Sequence, residues 1–308
     1  MTYVGKQVLI FGGTGLLGRH LAEGLSARGA TVIVASRRPP PDPGIARWVR
    51  CDITNAEQVV EAYRQARPQQ VVQLAAALQM ACEAHPELVV GTNLAGTDAV
   101  LRNAAKLDVE HVFLASSLAI YGGLQGELDE SLAPNASAGL YGGAKWLEER
   151  LGARYAALHG FRFTALRYCA VFGQGEAASA GMAQVRKRIE STRLGAPVTI
   201  TEARGDEKAQ LTYVTDAVDA TLALMSARDL RHAEYNIAGP RENYLSLRDY
   251  HAQIASLFPR TADVTFTGRA RSGGLPRMDR LTQDTGFVPS VSVIDGLRRM
   301  YAAELHTA

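Results

Sequence analysis

A chain of 308 residues, 47% hydrophobic and 21% charged, holds enough apolar material for one large core or two smaller ones. Its 33 basic and 31 acidic residues leave a formal net charge of +2 with no long run of either sign, so nothing supports a nucleic-acid or membrane-surface role and a small-molecule ligand is expected. Cys51, Cys82 and Cys169 are far apart and lack Cys-x-x-Cys spacing, which argues against a disulfide framework and a zinc site; no metal is expected.

The N-terminal "MTYVGKQVLIFGGTG" enters a strand too short and wrongly flanked for a signal peptide, and no apolar stretch reaches membrane-spanning length, so a cytoplasmic protein is expected. Short β-branched runs then alternate with helical stretches. "QVLIF" precedes a helix over Leu16 to Arg28, "TVIVAS" one over Glu57 to Gln65, and "QVVQLAA" one over Val89 to Lys106. "HVFLASS" precedes a helix over Ala144 to Leu158, and "FTALRY" closes the series. Such alternation predicts an α/β fold with a Rossmann-type, doubly wound parallel sheet. After Arg167 the rhythm loosens. We therefore expect a dinucleotide-binding domain over 1–172, with a returning segment about 206–238, and a smaller substrate-binding lobe from 173–205 and 239–308.

Within "VLIFGGTGLLGRHL", Gly12, Gly15 and Gly18 stand three apart, after a strand and opening a helix. Glycine there permits a tight turn, close approach of a pyrophosphate and tight helix packing, while the helix N-terminus favours the anion. At the end of the second strand, where an acid would hold the adenosine ribose of NAD, the chain reads Ser36, Arg37, Arg38. Serine and arginine can bond and neutralise a 2′-phosphate that an acid would repel, so NADP is expected over NAD.

These residues and several ordered motifs resemble the extended short-chain dehydrogenase/reductase family, the NAD-dependent epimerase/dehydratase group. The resemblance runs through the Gly12/Gly15/Gly18 loop, Asp52 in "RCDITN", Leu74, Ala75 and Ala76, and Asn93 to Thr97. It continues through Ser116, Ser117, Tyr121 and Gly122, then Tyr141 and Lys145, "YNIAG" and "TGFVPSVSVIDGLRRM". It implies that these dinucleotide contacts extend to Thr14, Leu16 and Leu17 in the loop, Ile53 beside Asp52, Ser116, Asn93, and Tyr168 and Val171 around the strand "FTALRY".

Tyr141 and Lys145 lie one helical turn apart, hence on one face, and an adjacent ammonium is expected to pull the phenol down from its usual pKa of about 10. The resemblance implies that Tyr141 moves the proton of a substrate hydroxyl or carbonyl, that Ser117 bonds the same oxygen, that Lys145 also holds the nicotinamide ribose, and that Ala77 borders the substrate. Gly142 and Gly143 weaken the helix start by about 1 kcal/mol each relative to alanine, which suggests extra room beside the substrate.

Departures from the family's nucleotide-sugar members lie on the substrate side. Ala170 stands where they carry an asparagine and Ala209 where they carry an arginine, two diphosphate contacts, while Arg271 falls where a third diphosphate-binding arginine would sit. Leu118 follows Ser117 where a dehydratase would place an acid, and Asp129 and Glu130 are expected on a surface turn. The leading reading is an NADP-dependent oxidoreductase acting on a ketone or secondary alcohol of a polar, sugar-like substrate. An epimerase with tightly held NAD(P) and a non-catalytic NADP sensor are the alternatives. The resemblance also implies a homodimer built on the helices of Asn93 to Ala105 and Lys145 to Leu158.

Overall fold

The computed structural model describes residues 3–42, 44–135, 137–174, 180–201, 203–258, 263–268 and 273–302, with the backbone alone over 180–186. Its first half runs β1 (Gln7–Phe11), α1 (Leu16–Ala27), β2 (Thr31–Ser36), β3 (Arg47–Arg50), α2 (Ala56–Ala66), β4 (Gln70–Gln73) and α3 (Gln79–Ala84). A π-helical turn, Val89–Leu94, leads into α4 (Ala95–Ala104), followed by β5 (His111–Ser117), a 3₁₀ turn (Leu118–Tyr121), β6 (Glu127–Leu128), α5 (Gly139–His159) and β7 (Arg162–Tyr168). The second half adds β8 (Ala170–Phe172), α6 (Ala180–Arg193), β9 (Val198–Ile200), β10 (Lys208–Tyr213), α7 (Val214–Ser226), β11 (Glu234–Ile237) and β12 (Tyr244–Ser246). α8 (Leu247–Ala255), β13 (Val264–Phe266), β14 (Leu275–Pro276), α9 (Asp279–Thr285) and α10 (Val293–Met300) complete it.

Seven strands form one parallel sheet in the order β11-β7-β5-β4-β1-β2-β3. The sequence runs outward in opposite directions from β1 and β4, and that switch point opens a crevice at the carboxyl ends of the strands. Alternate side chains feed two cores. Val8 and Ile10 pack toward α1 and α7, whereas Leu9 and Phe11 pack toward α2 and α4. Because both faces are covered, central strands such as β1 and β2 read as apolar runs. Each fully buried large residue, Phe113 for example, contributes about 1.5 to 3 kcal/mol.

A second sheet, β12-β10-β8, stands beside the crevice, with β8 separated from β7 only by Cys169. Two helices differ from their expected bounds by more than one residue at an end. The stretch from Val89 opens with a π-helical turn and ends at Ala104, and α5 begins at Gly139, so Tyr141 lies inside the helix.

Candidate functional site

The glycine loop is shaped by close backbone approach. Gly12 has φ +79°, and a Cβ there would lie 2.7 Å from the Ala75 nitrogen, while a Cβ on Gly18 would lie 2.5 Å from the Gly12 carbonyl oxygen. Any larger residue would push β1, β4 and α1 apart. Helix α1 starts at Gly15 with no side-chain cap and no acid in its first turn, leaving its first amides and positive dipole end for an anion. The loop therefore fits a pyrophosphate by shape and charge, with Thr14, Leu16 and Leu17 in the same turn.

At the end of β2, Arg37 and Arg38 are exposed. Ser36 is buried, and its hydroxyl is already engaged: it donates to the Arg38 carbonyl (2.7 Å) and accepts from Trp48 Nε1 (3.0 Å). The expected role of that hydroxyl toward a 2′-phosphate thus has to compete with two local bonds. Asp52 follows β3 and accepts from the Thr54 amide (3.0 Å) and hydroxyl (2.8 Å). Burial raises its pKa, but those bonds and the nearby Arg37 charge outweigh it and hold the carboxyl below its ordinary value. Ile53 is buried against Gly96.

Across the switch point, Leu74, Ala75 and Ala76 extend β4 along the crevice. Asn93, fully buried in the π-helical turn, grips the backbone of Ala77 at two points. It accepts from the Ala77 amide (2.8 Å) and donates to its carbonyl (3.0 Å). A π-turn supplies the odd helical phase that aims such a side chain inward.

Tyr141 and Lys145 are both buried, with Lys145 Nζ 5.9 Å from the centre of the phenol ring. The approach of α5 to the turn after Ser117 depends on Gly142, where a Cβ would collide with the Ala119 carbonyl oxygen; only Gly143 faces open space. Gly142 therefore brings the tyrosine to the serine rather than opening room. Ser117 Oγ accepts from the Ala119 amide (3.1 Å). Burial raises the Tyr141 pKa above its usual value, and the Lys145 charge and Ser117 hydrogen bonding only partly oppose it. The expected depression by lysine is thus present but outweighed.

Lys145 itself donates to Glu148 Oε2 (2.9 Å), an oxygen that also accepts from the Thr97 hydroxyl (3.1 Å). Burial works against the ammonium, but the attraction of Glu148 and Tyr141 exceeds it and keeps Lys145 charged. Glu148 went unnoticed in the sequence, although 141, 145 and 148 form one helical stripe. Glu149 and Arg167 were also missed. They form a second buried pair, Arg167 Nη2 to Glu149 Oε2 at 2.7 Å, which accepts the Ser116 hydroxyl as well. Arg167 donates on to the Tyr121 hydroxyl (2.9 Å), which donates to Asn236 (3.0 Å) on β11. A lone arginine inside the apolar strand "FTALRY" was the available signal, since such a charge requires a buried partner.

On the substrate side, the Tyr168 hydroxyl turns into the core and shares a bond with Thr221 (2.6 Å), while Ala170, Val171 and Ala209 line an apolar cavity. Arg271 lies outside the described residues. Glu130, expected on a surface turn, is buried because it accepts the Asn236 backbone amide (2.8 Å). Among the described residues no group of three or more His, Cys, Asp or Glu could hold a metal ion, and no helix is long and apolar enough to cross a membrane.

The model of the NAD dependent epimerase/dehydratase family matches residues 8–238. The chain belongs to that family. Its similarity extends to a UDP-glucose 4-epimerase of Azospirillum brasilense, 25% identical over 330 aligned residues covering 97% of this chain and 91% of the relative. A UDP-N-acetyl-alpha-D-glucosaminuronate decarboxylase of Bacillus cytotoxicus is 30% identical, covering 72% of each. Among solved structures, MoeE5 in complex with UDP-glucuronic acid and NAD superposes with a TM-score of 0.85 at 26% identity, covering 98% of this chain and 100% of that one. Membership of that family accounts for the fold, which the superposition on MoeE5 shares.

Proposed function

We infer that the protein interconverts a secondary alcohol and a ketone with a nicotinamide dinucleotide, and that Tyr141, Lys145 and Ser117 carry the proton chemistry. The observation that carries this reading is the buried Tyr141–Lys145 pair at the carboxyl edge, beside Ser117. When bound, the dinucleotide supplies or accepts the hydride. The glycine loop and the start of α1 hold its pyrophosphate, Asp52 and Ile53 border its adenine end, and Asn93 fixes the backbone beside its nicotinamide end. Ser117 donates to the substrate oxygen and Tyr141 gives or takes its proton. The Lys145 charge favours the phenolate state, so it lowers the cost of that transfer. Because burial keeps the phenol above its ordinary pKa, Tyr141 is a neutral proton donor at neutral pH, which suits ketone reduction. The reverse oxidation needs the phenolate and should accelerate as pH rises.

NADP is favoured over NAD by the two exposed guanidiniums of Arg37 and Arg38; the Ser36 hydroxyl adds little while it bonds Arg38 and Trp48. A second reading, a nucleotide-sugar epimerase that keeps its cofactor, is favoured by the similarity to UDP-glucose 4-epimerase and disfavoured by Ala170 and Ala209. A homodimer through α4 and α5 is consistent with the exposed Trp146 and Leu147 on α5, although Val100 and Leu101 belong to the core. Denaturing the purified protein and identifying and counting the released dinucleotide by mass spectrometry separates these readings. A readily exchanged NADP site supports net redox, and a stoichiometric, tightly held cofactor supports the epimerase. NAD as the preferred species refutes the role given to Arg37 and Arg38.

A further inference from the structure

The small sheet β12-β10-β8 leaves the main sheet at the catalytic edge. Tyr168, the last residue of β7, is the register partner of Ser117, and Ala170 follows two residues later. Two residues span at most about 7 Å and neighbouring strands lie about 5 Å apart, so Ala170 sits within about 12 Å of Ser117.

The alternation of β10 then sorts polarity by face. Gln210 and Thr212 point one way: Gln210 donates to the carbonyls of Gly239 and Pro240 (2.9 Å each), and Thr212 bonds Cys169 (2.6 Å). Ala209 and Leu211 point the other way, with register partners Leu245 on β12 and Ala170 on β8. Leu247 and Tyr250 from the start of α8 border this face, leaving an open apolar recess of about 90 Å³ with Ala170 exposed and Ala209, Leu211, Leu245 and Leu247 half-buried. Among the described residues that line it, only Tyr250 brings a polar side-chain atom.

None of these eight residues is charged, so a diphosphate placed here would lose water for one cationic charge felt at the Tyr250 hydroxyl, that of Arg188. A hydrocarbon would gain free energy in proportion to its buried area. An apolar cavity of about 150 Å³ accommodates benzene, so 90 Å³ corresponds to about three or four carbon atoms. The two alanines leave that space open, since a leucine at either position carries three more carbon atoms toward it.

We propose that this cavity is a substrate subsite for an aliphatic group of about three or four carbons, attached to the carbinol or ketone that reaches Ser117 and Tyr141. The subsite rests on the redox reading above and names its substrate class: a molecule with an alkyl branch in place of a nucleoside diphosphate.

The test is an NMR titration of the purified full-length chain with the methyl ketones from 2-butanone to 2-octanone and with UDP. It is run at saturating NADP⁺ and again without dinucleotide, with NADP⁺ binding measured separately. The subsite predicts affinity rising about fourfold per methylene over the first three or four carbons and then levelling. Ala170→Leu and Ala209→Leu should each flatten the series while NADP⁺ still binds. The wild-type series alone decides the matter if a variant fails to fold. A flat series on protein that binds NADP⁺ overturns the subsite, as does micromolar UDP binding abolished by Ala170→Leu. A rising series without NADP⁺ binding upholds the subsite and sinks the redox reading.

Discussion

At Gly18 one added carbon would lie 2.5 Å from a backbone oxygen, whereas Ala170, on the other side of the same crevice, opens onto a cavity of about 90 Å³. The dinucleotide side is built from main-chain approach and from charges paired within the protein, Lys145 with Glu148 and Arg167 with Glu149. The small-sheet side is built from the volumes of alanine and leucine. Backbone in such close approach admits almost no change of shape, while a face built from side-chain volume can change polarity through two residues.

The strongest way to break this contrast is at Tyr141. Tyr141→Phe should reduce turnover of any ketone the wild type accepts by about 10²- to 10⁴-fold while dinucleotide affinity stays within a few-fold; an unchanged rate in a nicotinamide absorbance assay would remove the proton role. Next comes the buried pair that links α5 to β7. Glu149→Ala leaves Arg167 charged without its partner, and urea unfolding should show a loss of about 3 to 5 kcal/mol. Gly18→Ala forces α1 away from the loop, with an expected loss of about 1 to 3 kcal/mol and weakened dinucleotide binding, whereas alanine at Gly143, which faces open space, should show neither. The smallest effect is on cofactor choice. Replacing Arg37 and Arg38 together by alanine should lower the NADP-over-NAD affinity ratio by about tenfold, the scale of one charge-assisted hydrogen bond at a solvated site.

Much of the dinucleotide side was legible in the sequence. A sheet covered on both faces writes itself as β-branched runs, and "HVFLASS" and "TVIVAS" coincide with β5 and β2. Glycines three apart after a strand carry a geometric meaning that survives without tertiary detail. The start of α5 was not legible, because two glycines lower local helix propensity and the close approach to Ala119 explains only Gly142. The Ser36 hydroxyl looked available because its bond to Arg38 depends on how the chain turns after β2. Glu148 lay in plain view on the Tyr141 stripe, but its burial depends on α4 supplying Thr97. In the small sheet, β8 and β12 have three residues each, too few for a period to show, so the apolar face emerges only when their register is known.

The central claim is that the β1–α1 loop and the buried Tyr141–Lys145 pair form one nicotinamide dinucleotide site. A fluorescence titration of the nucleotide-stripped protein with NADPH and NADH tests it most directly. The account predicts saturable binding at one site per chain, tighter for NADPH, and weakened in Gly18→Ala. Absence of saturable binding by either nucleotide would contradict it.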